Sequence, residues 1–178
     1  MEVQVSKKLS IIVPVYNVEQ YVRQCLESIF RQGLDERDFE VIMVNDGTED
    51  DSFGRIADIV RQHTNISIVE QANQGLSVAR NTGLAMARGE YVLMPDPDDL
   101  LVTDSLAPLL ERATTKKADL LVADFIEVKE KDAVTADAVC EETTNPDPQD
   151  ALFLEKTGRE LFMEDIVAEE CYVWRTLF

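Results

Sequence analysis

Apolar residues follow two different spacings along the chain. Short continuous apolar runs are typical of strands buried on both faces of a sheet, and longer stretches with an apolar residue every three or four positions predict helices with one buried stripe. The predicted strands are 9–15, 39–44, 66–69, 91–94 and 119–128, and the predicted helices are 18–30, 52–63, 76–88 and 104–115. This alternation indicates an α/β fold, an open and mostly parallel sheet with helices on both faces.

Polar residues mark the expected helix ends. Asn17 should cap the first helix, with Gln20 three positions later completing a capping box. Thr103 or Asp104 should cap the last helix. His63, the single histidine, should lie at the end of the second helix, where it favours the helix dipole.

Three carboxylates follow the predicted strand 91–94 and form an acidic cluster of Asp96, Asp98 and Asp99. Two prolines favour extended backbone in the residues before them, so we expect Asp96 and Asp98 to share one face and Asp99 to point aside. Carboxylates this close repel one another unless they are solvated or share a cation. Ligands bind beyond the carboxyl ends of strands in open parallel sheets, where residues 14–17, 45–48 and 96–99 should meet.

Oxygen ligands favour Mg²⁺ or Mn²⁺ over zinc or copper, so we expect one of these two ions at the acidic cluster. A calcium-binding loop that starts at Asp96 would need glycine in place of Leu101 and glutamate in place of Ala107, so that alternative fails. The residues after the first strand, PVYNVE, match neither the glycine-rich dinucleotide motif nor a P-loop. A phosphate ligand would therefore be held chiefly by the metal, which points to a diphosphate.

The charge and cysteine content of the chain limit the classes of partner and the compartment that we expect for it. The chain has 35 acidic and 17 basic residues, a formal net charge of −18, which argues against nucleic acid or an anionic membrane surface as a partner. Three cysteines without metal-site spacing fit a reducing cytoplasm. The sequence shows no signal peptide and no membrane-spanning stretch. We expect a cytoplasmic location, with any attachment to the inner face of the membrane made through regions outside this chain.

The pattern weakens after residue 128. Residues 131–150 are polar, acidic and interrupted by prolines, which predicts a mobile loop, and residues 151–170 predict one or two helices. The chain stops in the apolar stretch CYVWRTLF, which suggests that a longer protein continues beyond it.

The blocks IIVPVYNVEQYVRQCLESI, EVIMVNDGTEDDS and NQGLSVARNTGLAMARGEYVLMPDPDD occur in this order. Over residues 9–128 they resemble the N-terminal nucleotide-sugar region of family 2 glycosyltransferases, which have the GT-A fold. The resemblance divides the chain into a nucleotide-sugar-binding core, residues 1–128, and an incomplete start of the acceptor side, residues 129–178. It implies donor-binding residues and metal ligands: Pro14, Val15, Tyr16, Asp46, Arg80 and Asp96 for the donor, and Asp98 and Asp99 for the metal.

The resemblance also implies individual roles. The Tyr16 ring would stack on the donor's base, and Asp46 would accept a hydrogen bond from that base. Arg80 would either neutralise phosphate or pin the acidic loop. Simpler interpretations stay open: Tyr16 as a helix-entry staple, Asp46 as part of a turn, and Asp98 with Asp99 as a solvated turn.

By the same resemblance the protein transfers a sugar from a nucleotide diphosphate sugar, such as a UDP-sugar, to a glycan or lipid-linked glycan acceptor in bacterial surface polysaccharide synthesis. The reaction would need Mn²⁺ or Mg²⁺ and would invert the anomeric carbon. Inversion needs a general base, which the family carries downstream of the acidic motif. Within this chain Asp165 is a weak candidate, so we expect the 178 residues alone to be inactive. A sugar nucleotidyltransferase and a non-catalytic nucleotide-sugar-binding module are the alternatives, and a homodimer stays open.

Overall fold

The computed structural model describes residues 7–123 and 171–175. The strands are β1 (Lys7–Val15), β2 (Phe39–Asn45), β3 (Ile66–Glu70), β4 (Gly89–Leu93), β5 (Leu120–Ala123) and β6 (Cys171–Arg175). The helices are α1 (Val22–Ile29), α2 (Ser52–Gln62), α3 (Leu76–Leu84) and α4 (Leu106–Lys116). Every predicted strand and helix within the described residues is present, and none of these helices is long and apolar enough to cross a membrane.

The strands form one sheet in the order β3-β2-β1-β4-β6-β5. β1 is parallel to both of its neighbours, with Val15 opposite Asn45 of β2 and Ile11 opposite Leu93 of β4. The chain moves outward from β1 through β2 to β3 and then returns to the other side of β1 as β4. Open α/β sheets form a ligand crevice at such a reversal, beyond the carboxyl ends of the strands.

β6 enters the sheet between β4 and β5 and runs antiparallel to both. The sequence pattern predicts only an apolar stretch here. Its partners lie far earlier in the chain, with Trp174 opposite both Val92 and Leu120, so no local spacing could reveal the pairing.

Helices cover both faces of the sheet, as predicted. α1, α2 and α4 pack on one face, where they bury alternate residues of β1 in the larger apolar cluster: Leu9, Ile11, Val13 and Val15. α3 packs on the opposite face against Ile12 and Ile42. The contact is tight, because a methyl group added at Gly83 would lie 2.3 Å from Ile12 Cγ2.

The two predicted helix caps are wrong. α1 begins at Val22 with Tyr21 at its cap position, and Asn17 lies earlier, in a left-handed conformation with φ of 53° that asparagine tolerates. α4 is preceded by Ser105, and Asp104 also has a positive φ, of 57°. Both predicted caps instead shape loops at the edge of the sheet.

A buried polar cluster lies near the amino ends of β1, β2 and β4. Ser10 Oγ donates to Glu40 Oε1 at 2.7 Å and accepts a hydrogen bond from Gly89 N at 2.8 Å. Arg88 donates to Glu40 through its backbone N–H at 2.7 Å and through Nε at 2.9 Å. Burial opposes the charge of Glu40, but the bonds from Arg88 and Ser10 hold its pKa below the ordinary value. The cluster fixes the turn into β4 at the edge opposite the carboxyl ends of the parallel strands.

Candidate functional site

The parallel strands bring the predicted site residues to one edge of the sheet. Tyr16 follows β1 and Asp46 follows β2, next to the paired residues Val15 and Asn45. The acidic cluster follows β4 on the other side of β1. The predicted convergence of three strand ends at this edge therefore follows from the observed strand order.

Side chains of β1 itself are turned into the protein. Pro14 is buried and Val15 is fully buried, so neither offers its side chain to a ligand at the edge. Tyr16 is 44% exposed, which makes it the first residue after β1 whose side chain is open to a ligand. An exposed aromatic ring at a strand end provides a surface on which a planar base can stack.

The loop after β1 is tied to the loop after β2. Asn17 N donates to Thr48 Oγ1 at 2.7 Å, and Glu49 N donates to Asn17 Oδ1 at 3.1 Å. Val18 N donates to Ser52 Oγ at 3.2 Å. These bonds explain why Asn17 does not cap α1, since its side chain is used across the loops and holds the segment next to Tyr16 in place.

Asp50 is the anchor of this pair of loops, and sequence reasoning missed it. Its Oδ2 accepts from Glu19 N at 2.8 Å, and its Oδ1 accepts from Thr48 Oγ1 at 2.8 Å, from Ser52 N at 3.1 Å and from Ser52 Oγ at 2.5 Å. Burial opposes its charge, but the bonds from Ser52, Glu19 and Thr48 lower the pKa of Asp50 to about 2. The acidic run in EVIMVNDGTEDDS was the available signal, but it does not distinguish a half-buried, hydrogen-bonded anchor from a solvated side chain.

Asp46 is 3% exposed and organises a third loop. Its carboxylate accepts hydrogen bonds from Gln71 Nε2 at 2.7 Å, from Gln74 N at 2.9 Å and from Gly75 N at 2.9 Å. Burial opposes the charge, yet the bonds from Gln74, Gln71 and Gly75 hold the pKa of Asp46 below its ordinary value. A carboxylate has about four acceptor positions, so about one is left for a ligand.

Arg80, on α3, reaches across to the acidic cluster. Its Nη2 donates to Asp96 Oδ1 at 2.6 Å, and both side chains are partly exposed. Arg80 Nε is buried and has no hydrogen-bond partner among the described residues. Of the two roles expected for Arg80, this geometry is that of a residue that pins the acidic loop.

The acidic cluster forms a turn, and the extended geometry predicted through Asp98 is wrong. Asp99 N donates to Asp96 O at 3.0 Å, which places Pro97 and Asp98 at the corner of a β-turn. Proline favours the first corner position because its φ is already set for a turn. Asp98 and Asp99 are both exposed at the surface of this turn.

The charges of the turn are not balanced within the described part of the chain. No described cation lies against Asp98 or Asp99, whereas Asp96 has Arg80. Partial desolvation and the neighbouring charges of Asp98 and Asp96 raise the pKa of Asp99. Bringing a cation to this turn would relieve the repulsion between these carboxylates.

The carboxylates fit a metal that takes few protein ligands. Among the described residues, no group of three or more His, Cys, Asp or Glu side chains is arranged to hold an ion. Mg²⁺ characteristically takes one or two carboxylates and completes its shell with water and phosphate oxygens. Asp98 and Asp99 match that partial ligand set, and they do not form a closed protein cage.

Two remaining candidates lie elsewhere. Asp165 falls outside the described residues. His63 directly follows α2, as predicted; its Nδ1 lies 2.7 Å from Glu36 Oε1 and its ring stacks on Phe30 at a centroid distance of 3.6 Å. These contacts assign His63 to packing at the end of α2.

A mostly parallel sheet with a switch point between β1 and β4, and an exposed acidic turn beside that point, is the arrangement of an α/β domain of the GT-A type. Residues 10–162 match the sequence pattern of glycosyl transferase family 2, and the chain belongs to this family. The predicted family and fold are thereby confirmed.

Curated relatives and a solved structure agree with this assignment. The uncharacterized glycosyltransferase EpsJ of Bacillus subtilis is 44% identical over 118 residues, which cover 66% of this chain and 33% of EpsJ. The poly(ribitol-phosphate) beta-glucosyltransferase of Bacillus spizizenii is 33% identical over 101 residues, covering 56% of this chain and 16% of that protein. S. aureus TarS 1-349 in complex with UDP-GlcNAc superposes with a TM-score of 0.61 at 29% identity, covering 69% of this chain and 37% of TarS 1-349. The chain thus spans about a third of EpsJ, or less of longer relatives.

Proposed function

We propose that this chain is the donor-binding part of a metal-dependent, inverting glycosyltransferase that uses a UDP-sugar. The observation that carries the proposal is that an exposed aromatic ring, Tyr16, and the acidic turn follow the adjacent strands β1 and β4 at the same edge of the sheet. A ring that stacks on a base and carboxylates that hold a cation are the two features needed to bind a nucleoside diphosphate without a glycine-rich loop. Similarity to TarS, which was solved with UDP-GlcNAc, supports uridine as the base.

Some of the site residues would contact the donor, and others would hold those residues in place. Tyr16 stacks on the base, and Asp46 offers its remaining acceptor position to the base while it holds the loop before α3. Arg80 holds Asp96 on the side of the ribose and sugar. Asp98 and Asp99 would hold Mn²⁺ or Mg²⁺, and the chemistry such an ion would supply is neutralisation of the negative charge on the diphosphate.

We place the general base outside these 178 residues. The longer relatives leave room for it, since this chain covers 33% of EpsJ. The proposed acceptor is a glycan or lipid-linked glycan of a bacterial surface polymer, in line with a relative named for poly(ribitol-phosphate). Family membership favours sugar transfer over nucleotidyl transfer. The proposed location is the cytoplasm, with any membrane attachment made through regions outside this chain.

Calorimetric titration with UDP tests the donor site directly. We expect UDP to bind weakly without divalent metal and at least about tenfold more tightly with Mn²⁺ or Mg²⁺, because removing a ligand or its support typically changes metal affinity by about 10- to 100-fold. Asp98→Asn should abolish the difference between the two conditions. GDP, titrated in parallel, tests the choice of base.

Asp104→Asn is the matched control. Asp104 lies in the same loop and is exposed, and its positive φ suits asparagine, so the substitution removes one charge without touching the turn. It should keep the full response to metal. Equal UDP affinity with and without metal in the wild-type chain, or an unchanged response in Asp98→Asn, would refute the proposed site.

A further inference from the structure

Two buried polar side chains, Ser28 of α1 and Gln32 in the turn that follows α1, contact the segment that follows the acidic turn. Ser28 and Gln32 are each 1% exposed, although the rest of the inner face of α1 is apolar. Burying a primary amide is costly unless all of its donors and acceptors are bonded. Their positions therefore call for partners within the protein.

Gln32 has a complete set of partners. Its Nε2 donates to Ser28 O and to Val102 O, both at 2.9 Å. Its Oε1 accepts from Leu106 N at 2.9 Å and from Ser105 Oγ at 3.1 Å. Since the cap residue Ser105 makes no side-chain bond to an N–H of α4, Gln32, in the turn after α1, supplies the acceptor for the N–H of Leu106, the first residue of α4.

Further contacts from α1 and from the turn after it extend along the same segment. Ser28 Oγ accepts from Leu101 N at 3.0 Å and donates to Cys25 O at 2.7 Å. The thiol of Cys25 lies 3.6 Å from Asp96 O, at the start of the turn. Asp104 N donates to Arg31 O at 2.9 Å.

These contacts hold the acidic turn at both of its ends. Arg80 and Cys25 contact Asp96 on the near side, and Ser28 holds Leu101 on the far side. Asp99 is two residues from the bonded Leu101 amide, and each residue spans at most about 3.5 Å of chain. A shift of the far anchor therefore moves the carboxylates of the turn by a similar distance.

We propose that Gln32 and Ser28 are positioning residues for metal binding, which set the placement of Asp98 and Asp99 by fixing the segment from Leu101 to Leu106. The inference rests on the proposed function, because it assumes that these two carboxylates hold the donor's cation. Neither Gln32 nor Ser28 touches the ligand. Their effect should appear in the metal-dependent part of UDP binding and should be absent from the metal-independent part.

The test compares Gln32→Leu with a buried polar substitution at the opposite edge. Ser10→Ala removes a hydroxyl that is 0% exposed and bonds to Glu40 and Gly89, far from the acidic turn. In Gln32→Leu we expect UDP affinity in the presence of Mn²⁺ to fall at least about tenfold, the low end of the effect of supporting residues on metal affinity. UDP affinity without metal should change less than about twofold, within the range of unrelated surface changes. Ser10→Ala should alter neither affinity.

Two further measurements separate positioning from general stability. Hydrogen exchange of the metal-free chain should show lost protection at the amides of Leu101 and Leu106 in Gln32→Leu and no such loss in Ser10→Ala. Combining Gln32→Leu with Asp98→Asn should cause no further loss of affinity, because both act on the same ion. Ser28→Ala, a smaller change, repeats the test if Gln32→Leu does not fold.

The possible outcomes distinguish a failure of the proposed metal-dependent donor site from a failure of the positioning role of Gln32 and Ser28. A wild-type chain whose UDP affinity does not respond to metal overturns the proposed function and this inference together. A wild-type chain that responds, with Gln32→Leu and Ser28→Ala responding equally well, overturns the inference alone and leaves Gln32 as a helix cap. A tenfold loss confined to the metal-dependent affinity supports it.

Discussion

Replacing Asp50 by asparagine tests whether the loops after β1 and β2 are held together as the structure indicates. Asparagine keeps an oxygen for the three bonds to Oδ1, from Thr48 and Ser52. Its amide nitrogen then faces Glu19 N, which now donates to Oδ2 at 2.8 Å. Two donors would meet there, and the Glu19 amide would lose its partner.

The expected cost follows from these contacts. The bond from Glu19 N to a charged oxygen is lost, and the bonds from Thr48 and Ser52 are then made to a neutral oxygen. A hydrogen bond to a charged group contributes about 1.5–3 kcal/mol. We expect Asp50→Asn to lower the free energy of unfolding by about 2 kcal/mol. For a chain of this size each kcal/mol corresponds to about 2–4 °C, so Tm should fall by about 4–8 °C.

Urea unfolding at pH 7 measures the effect, and Asp51→Asn is the neighbouring control. Asp51 is 70% exposed, makes no capping bond to α2, and has Arg55 4.0 Å away as its ion-pair partner. An exposed pair of this kind contributes at most about 1 kcal/mol, so Asp51→Asn should be close to neutral. If both variants unfold at the same urea concentration, the assignment of Asp50 as an anchor is wrong.

The pH dependence gives a second check. The pKa of Asp50 is lowered from 3.8 to about 2, so its contribution is fully present above about pH 4 and is lost as the pH falls towards the folded-state value. The stability difference between wild type and Asp50→Asn should stay constant from about pH 7 to 5 and shrink below about pH 4. A difference that already shrinks between pH 7 and 5 would point to another group.

Two other predictions concern α3 and Tyr16. Gly83→Ala should lower stability by about 1–3 kcal/mol, because the added methyl would lie 2.3 Å from Ile12 Cγ2 in a packed interface. Gly54→Ala, also within a helix, should be neutral or stabilising in the same thermal unfolding assay, since its methyl would meet only the movable carboxylate of Asp51. Tyr16→Ala should weaken UDP binding in calorimetry by about 1–3 kcal/mol through lost stacking, whereas Tyr21→Ala, 40% exposed in the native chain, should not. Equal effects of the two tyrosine substitutions would exclude Tyr16 as the base platform.

The parts of this fold that follow from local spacing could be predicted. Buried parallel strands require apolar residues on both faces, so β1 and β2 are visible as continuous apolar runs. Once the strands are parallel, their carboxyl ends must share an edge, which places Tyr16, Asp46 and the acidic turn together without any knowledge of side-chain contacts.

The loops and helix ends that depend on hydrogen bonds between residues far apart in the sequence could not be predicted. Asn17 has the residue type of a helix cap. Its hydrogen-bond partners are instead Thr48 and Glu49 on another loop. In the sequence Gln32 is simply a polar residue after a helix. In the structure its side-chain amide donates to Val102 O and accepts from Leu106 N, beyond the acidic turn. Residue type shows that such side chains need partners, and only the tertiary structure shows which partners they have.

For the same reason, the sequence alone could not show which acidic residues at this edge hold loops in place and which are open to a cation. Asp46 accepts hydrogen bonds from the loop before α3, and Asp50 accepts them from the loops after β1 and β2; these bonds lower the pKa values of both carboxyls. Asp99 receives no such donors from the described residues, and partial burial, together with the charges of Asp98 and Asp96, raises its pKa. A carboxylate already satisfied by the backbone has little to gain from a cation, whereas an exposed pair of mutually repelling carboxylates has much to gain. The hydrogen-bond donors around each carboxylate thus show that Asp46 and Asp50 hold the loops, and the lack of such donors at Asp99 supports the proposal that the exposed carboxylates of the turn bind the metal.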